Sequence, residues 1–143
     1  MLLDEVVARI EVTVPLLGGR VAGLAAFANL LDSGALPPET PAAYVVPLGL
    51  DPANPLNVTG GHQQVARESL GVILIISHAD DAGGGAAMPD MAALRDAIIG
   101  GLAGWRPASG RDGLAVRRGR LLDMRGSAVI WQQDFSSEVL IRT

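Results

Sequence analysis

The sequence contains no cysteine and no lysine, so all 11 of its Lys-or-Arg cations are arginine. Without cysteine, the chain can form no disulfide, no thiolate metal site and no cysteine nucleophile, although the compartment stays open. Without lysine, it has neither the lysine of a phosphate-binding loop nor an amine for Schiff-base chemistry. These two absences exclude large classes of enzyme mechanism.

Aromatic residues make up only 3% of the chain, and no apolar run reaches the roughly 20 residues that a membrane span needs. The one uninterrupted apolar run, LGVILII at 70–76, is short and rich in β-branched residues. Such a run predicts a strand that is buried on both faces. We expect a helix to cover one face, and a second helix or a neighbouring subunit to cover the other.

Length and charge bound the class of protein. With 143 residues, 49% of them apolar, the chain is predicted to form a single domain with its own core. The net charge is −4, but residues 1–100 hold four arginines against eleven acids, whereas residues 101–143 hold seven against four. An acidic body with a basic C-terminal third suits head-to-tail contact between subunits or an acidic partner, although two solvated faces would show the same pattern. The start MLLDE has no basic segment, so we expect the protein to work where it is made or in an assembly built there.

In the first half of the chain, apolar spacing predicts a helix over about 3–13, followed by a short strand at Val21–Ala26 and a helical turn. Prolines make 36–41 an extended connector. Ala42–Leu48 is then predicted to be a strand, with Pro47 at an edge or a bulge. Gly49–Gly61 is rich in Gly, Pro, Asn and Asp, and it is predicted to be a long exposed loop, either a binding element or functionally idle.

In the second half, residues 62–67 are predicted to lengthen the central strand. A helix that begins near Pro89 carries a single apolar stripe, with Gly104 and Pro107 closing it. The pair Gly100-Gly101 inside that helix indicates close approach to the sheet or to another subunit. Leu114–Met124 and Ser127–Phe135 are predicted to form a hairpin whose last strand continues to Ile141. The predicted fold class is therefore α+β, a largely antiparallel sheet packed by two main helices.

The chain offers little for catalysis. His78 with Asp80, Asp81 and Asp90 is the nearest approach to a metal constellation, but their spacing matches no ligand frame. The glycines at 83–85 lack the dinucleotide fingerprint, and the Gly-x-Ser-x-Gly nucleophile elbow occurs nowhere. We therefore expect neither an enzyme nor a cofactor or metal.

Four arginines on the predicted hairpin are candidate contacts with a subunit or partner. They are Arg117, Arg118, Arg120 and Arg125. Alternation along a strand predicts that Arg118 and Arg120 share one face and that Arg117 lies on the other. Nucleic-acid binding would require stacking aromatics nearby, where only Trp105 and Trp131 are available, and the total charge is negative. These arginines therefore favour protein contacts, with solvated surface charges as the alternative.

Several local patterns, in this order, resemble bacteriophage tail terminator (tail completion) proteins. The segment AYVVPL at 43–48, ahead of a Gly/Asn/Pro loop, resembles the A-x-V-x-P-L strand of that family. The course of 57–63 into 72–76, the segment GLAGWRP at 101–107 and GRL at 119–121 before a last strand are similar as well. The similarity spans about residues 1–135, and it implies that residues 1–143 form one tail-terminator-like domain.

The resemblance implies a structural virion protein that acts without cofactor or catalysis. Such a subunit would form a homohexameric ring on the head-proximal end of a phage tail, assembled in the host cytoplasm. Its partners would be the tail tube protein and a head-completion or connector protein, with no membrane, and with nucleic acid only as DNA passing through the lumen. Besides the four arginines, we expect contacts from the 49–61 loop, at Asp51, Asn54 and Asn57.

Two other classes stay open at this point. One is a different phage structural module, such as a head–tail connector or a tube protein. The other is a metal-dependent hydrolase that uses His78, Asp80 and Asp81.

Overall fold

A computed structural model describes residues 2–55, 61–78, 87–125 and 127–142. The elements follow one another as α1 (Leu2–Thr13), a 3-10 turn (Pro15–Leu17), β1 (Val21–Ala22), α2 (Leu24–Ser33), β2 (Ala42–Pro52), β3 (Gln63–Ser77), α3 (Ala87–Leu102), β4 (Ala115–Arg125) and β5 (Ala128–Arg142). None of the described helices is long and apolar enough to cross a membrane.

The five strands form one sheet in the order β1-β2-β3-β5-β4. Only the short pair of β1 with β2 is parallel, and the other three pairs are antiparallel. The long central strand β3 pairs along its whole length with β5, from Gln63 opposite Arg142 to Ser77 opposite Ala128. The prediction of an α+β fold with a largely antiparallel sheet is confirmed.

One face of the sheet, here called the core face, is covered by α1 and α3. Leu70, Val72, Leu74 and Ile76 of β3 point into this layer and are at most 4% exposed. The apolar stripe predicted for this helix lies against them, buried at Met91, Leu94, Ile98 and Leu102. Its last predicted member, Trp105, lies beyond the helix and is partly buried. The chain leaves this helix at Gly104, which adopts a left-handed backbone with φ +76°, as glycine does at no steric cost.

The opposite face, here called the α2 face, has a thinner cover. Val46, Ile73 and Ile75 are buried there beneath Phe27, Leu30, Leu36 and Tyr44. No residue of α2 is itself buried. The prediction of a strand over Val21–Ala26 with a helical turn is wrong in extent, because the strand ends at Ala22 and a ten-residue helix follows. A run of Ala and Leu without polar alternation does not distinguish the two states, and packing on β2 decides for the helix.

The predicted loop Gly49–Gly61 is also wrong in its first part. Strand β2 continues through Pro52, after an irregularity between Pro47 and Gly49. Leu50, Asp51 and Pro52 find partners at Glu68, Arg67 and Ala66, because β3 extends far enough to accept them. Residues 56–60 of that predicted loop, Asn57 included, lie outside the described residues.

Of the two glycines inside α3, Gly101 approaches α1 and not the sheet. A Cβ placed on buried Gly101 would collide with Thr13 Oγ1 and lie 3.1 Å from Thr13 Cβ. The backbone carbonyl of Gly101 also accepts a hydrogen bond of 2.9 Å from Arg9 Nε. Gly100 faces open space instead. The predicted close approach is therefore confirmed for Gly101, with a different partner.

Candidate assembly surfaces

The candidate metal residues form no ligand cluster in the part of the chain that is described. His78 Nε2 lies 2.8 Å from Asp90 Oδ2, and both side chains are exposed. Among residues 2–55, 61–78, 87–125 and 127–142, no group of three His, Cys, Asp or Glu could hold a metal ion. Asp80 and Asp81 fall outside these ranges. The described residues thus show a surface pair where the sequence suggested a constellation.

The two tryptophans are not open platforms on which bases could stack. Both pack at the border of the hydrophobic core. The guanidinium of Arg9 lies 5.4 Å from the ring of Trp105, and that of Arg95 lies 5.5 Å from the ring of Trp131. Each ring therefore has a cation–π partner within the chain.

The arginines of β4 do not alternate between faces as predicted. The register shifts between Val116 and Gly119, so the simple alternation breaks at Arg117 and Arg118. Arg117 Nε donates a 2.7 Å hydrogen bond to Ser136 Oγ, and Arg120 Nη1 lies 3.8 Å from Asp134 Oδ2. Ser136 and Asp134 are two positions apart in β5 and share a face. Arg117 and Arg120 therefore lie on the same face, and the prediction that separated them is wrong.

The other two arginines of β4 make no contact with Ser136 or Asp134. Arg118 is exposed within the irregular part of β4. Arg125 ends the strand, and its Nε donates a hydrogen bond of 2.8 Å to Asp123 Oδ2. Since the Arg125–Asp123 ion pair is solvent-exposed, it contributes little to stability.

The candidate residues of the first half lie at the other edge of the sheet. Asp51 is in β2 and lies opposite Arg67, which lies opposite Glu138, so a row of alternating charge crosses three strands. Asn54 is exposed just beyond β2. Asn57 is outside the described residues. The structure therefore brings the six described candidates to no single cluster, because Asp51 and the arginines belong to strands at opposite edges.

Both sheet edges also carry exposed apolar side chains that the sequence reading did not single out. They are Leu48 and Leu50 on β2, and Val116, Leu121, Leu122 and Met124 on β4, all between 40% and 51% exposed. Apolar residues at every second position, as in 48–50 beside Pro47 and Asp51, were the available signal. Clusters of exposed apolar side chains are typical of interaction surfaces.

A third apolar surface surrounds α2. This helix exposes Leu24 and Leu31 by 51% and 64%. One groove runs beside its first turn along Leu3, Val7 and Leu24, and another beside its last turn along Leu31, Leu36 and Leu122. Phe27 and Leu30 of this helix pack on the sheet, while Leu24 and Leu31 are left exposed. Exposed apolar side chains grouped in this way are typical of a surface that binds another protein.

The environment of Tyr44 perturbs the ionisation of its phenol. Its ring packs at 5.5 Å from that of Phe27, on the α2 face of β2. Burial raises the pKa of the Tyr44 phenol above the usual 10.0, because the charged phenolate is poorly solvated there. The phenol therefore stays neutral at ordinary pH and acts as a packing group.

These observations define an α+β protein whose described residues place exposed apolar and charged side chains at both edges of the sheet, as is typical of surfaces through which proteins associate. The family model for the phage tail terminator protein matches residues 2–143, and the chain belongs to that family. The resemblance read from the sequence is thereby confirmed. The family is one of structural virion proteins.

A solved structure has the same fold. It is a chain from the virion of a native gene transfer agent particle, with a TM-score of 0.55 and 20% sequence identity. The match covers 98% of the present chain and 95% of that chain. The search of curated proteins finds no match.

Proposed function

We propose that this protein caps the head-proximal end of a phage tail tube as a homohexameric ring. The ring ends tube polymerisation and presents the surface to which a head-completion or connector protein joins. Residues 1–143 act in it as a single tail-terminator-like domain, assembled in the host cytoplasm and then resident in the virion. The role is structural, without catalysis or cofactor, and nucleic acid is met only as DNA passing through the lumen.

The observation that carries this proposal is the presence of two unlike edges on the sheet that the described residues form, together with membership of the tail terminator family. One edge holds Asp51 and the other the arginines of β4. Unlike surfaces that bind each other make a heterologous contact, which repeats from subunit to subunit and closes into a ring when the rotation permits. We propose Arg117, Arg118, Arg120, Arg125, Asp51, Asn54 and Asn57 as contacts with the neighbouring subunit or the tube.

The exposed apolar grooves beside α2 support a second set of contacts. A ring on a tail has neighbours within the ring and further neighbours above and below it. The sheet edges suit the first kind, because they lie on opposite sides of each subunit. The surface around Leu24 and Leu31 is then free for the tube or the head-completion protein.

Imaging tests the proposal directly. The purified protein is measured by light scattering and negative-stain microscopy, alone and after addition of polymerising tube protein. We expect rings at one end of each tube and tubes that stop growing once capped. A strict monomer at high concentration, even with tube present, contradicts the ring. If the protein itself polymerises into tubes or decorates only head vertices, it is a tube or connector protein instead.

A further inference from the structure

Two strand edges lack a partner in the described part of the chain. The outer side of β2 is paired with β1 only at Ala43 and Tyr44, which leaves the segment Val45–Pro52, here called the β2 edge. The whole outer side of β4, here called the β4 edge, pairs with no strand among the described residues. Each edge presents backbone N–H and C=O groups on which another strand could form a ladder.

The directions of the strands decide which pairing a ring allows. β2 and β3 are antiparallel, as are β3 and β5, and β5 and β4. It follows that β2 and β4 run in opposite directions. A neighbour related by rotation about a ring axis that runs roughly along the strands therefore presents its β4 edge antiparallel to the β2 edge, and the sheet can continue from one subunit into the next.

The core faces of the two edges are complementary in hydrophobicity. Leu50 lies opposite Glu68, and Leu121 lies opposite Trp131, which lies opposite Leu74. Glu68 and Leu74 are an even number of positions apart in β3, so Leu50 and Leu121 point to the same face. The same register places two more exposed apolar side chains on that face of the β4 edge, Val116 and Met124.

The α2 faces of the two edges are complementary in charge. Asp51 lies opposite Arg67, and Arg120 lies opposite Gln132, which lies opposite Ile73. By the same parity, Asp51 and Arg120 share the α2 face. Arg117 and Arg125 share it too, through Ser136 and Ala128. Continuing the sheet thus joins apolar to apolar on one face and acid to base on the other.

We propose that the β2 edge of one subunit pairs with the β4 edge of the next, so that a single antiparallel sheet runs through the subunit junction. This inference rests on the ring proposed above and names the surfaces that close it. Pro47 and Pro52 cannot donate hydrogen bonds, so the donors of the β2 edge between them come from Leu48–Asp51, and the pairing there is short. Exposed leucines at 48 and 50 distinguish this segment from an edge protected against pairing.

Engineered cysteines test the junction cleanly, because the natural chain has none. Leu50→Cys is mixed in turn with Val116→Cys, Leu121→Cys and Met124→Cys, and each mixture is oxidised after assembly. We expect a covalent dimer in at least one mixture, since facing side chains in a ladder come within disulfide range. A chain that carries both cysteines of that pair should give a ladder of covalent oligomers ending at the ring size. Val12→Cys, 79% exposed on α1, is the matched control and should not cross-link to β4.

Charge reversal supplies a second measurement. Asp51→Arg should raise the concentration of half-association about fivefold or more, because it turns an attraction into a repulsion of the β4 arginines. Glu11→Arg changes the net charge equally on exposed α1 and should have much less effect.

The outcomes separate this inference from the proposed function. Rings in the microscope without any β2-to-β4 cross-link overturn the edge pairing and leave the ring intact. If the Leu50→Cys protein or the Leu121→Cys protein forms covalent dimers without the other variant, the same edge meets itself across a two-fold contact. That result also overturns the pairing of the β2 edge with the β4 edge. If an edge cysteine prevents ring formation while Val12→Cys permits it, the edge is supported as the junction. A wild-type monomer in the presence of tube overturns both proposals.

Discussion

Replacing Gly100 and Gly101 by alanine should change stability in opposite directions, although the two residues are neighbours in α3. A Cβ at Gly100 meets nothing within 4 Å, whereas a Cβ at Gly101 enters the space of the Thr13 side chain at the end of α1. Thr13 has little room to yield, because its Oγ1 donates a 2.8 Å hydrogen bond to the Arg9 carbonyl. Arg9 is in turn bonded to the Gly101 carbonyl.

The magnitudes follow from two opposing terms. Alanine in a helix is favoured over glycine by about 1 kcal/mol, so Gly100→Ala should stabilise the protein by up to about 1 kcal/mol. Gly101→Ala gains the same term but overpacks the α1–α3 contact, at a cost of about 1–3 kcal/mol. Its net effect should be a destabilisation of up to about 2 kcal/mol.

Equilibrium denaturation in urea, followed by tryptophan fluorescence, measures both variants. We expect the midpoint to rise for Gly100→Ala and to fall for Gly101→Ala, with similar slopes. Thr13→Ala removes the colliding oxygen, so combining it with Gly101→Ala should recover part of the loss, a coupling of about 1 kcal/mol.

A Gly101→Ala variant as stable as Gly100→Ala would refute the reasoning, because it would show that the two helices do not approach as closely as the structure has them. Failure of Thr13→Ala to recover any stability would show that the collision lies elsewhere. If Gly100→Ala leaves the subunit stable but prevents ring assembly, then its open surface is part of an interface. That result would restore the sequence-based expectation of close approach to another subunit for Gly100.

Two further predictions concern charge and pH. Reversing Arg118 and Arg120 to Glu should weaken self-association in sedimentation experiments and reduce its sensitivity to salt. The control variant reverses the exposed Arg106 and Arg111 and should associate normally. Unchanged association of the first variant would contradict the role of the β4 arginines. For Tyr44, the sole tyrosine, the tyrosinate absorbance should titrate above the usual pKa of 10.0 in the native protein. Because the unfolded chain ionises first, stability should fall as pH rises from about 10 through the native pKa. The Tyr44→Phe variant should not show this loss of stability. If it loses as much stability over that pH range as the wild-type protein, ionisation of Tyr44 is not the cause.

Local pattern predicted the central parts of the fold. The β-branched run at 70–76 is apolar on both faces of a strand, so it predicts burial on both faces. The apolar stripe on α3 lies on one side of the helix, so it predicts packing of that side against a sheet. The C-terminal hairpin was equally clear from its alternation. These segments were predictable because their own hydrophobic periodicity leaves one favourable arrangement.

The edges were less predictable. Gly, Pro and Asn dominate the neighbourhood of Asp51 and predict a loop, yet Asp51 pairs in β2 because β3 extends to meet it. The prediction of the sheet face on which Arg117 lies is wrong because a shift of register near Gly119 breaks the alternation of side chains. Neither the length of a partner strand nor an irregularity in its ladder is written in the local sequence.

Composition and local pattern establish the chemistry open to this protein and the family to which it belongs. A chain that carries acids in its body and arginines in its last third is suited to association with a second copy of itself or with an acidic partner. Where those charges and the exposed leucines lie relative to one another depends on the tertiary structure. Sheet order and register arise from contacts between distant segments, and they place Asp51 and Leu50 at one edge and the arginines and Leu121 at the other.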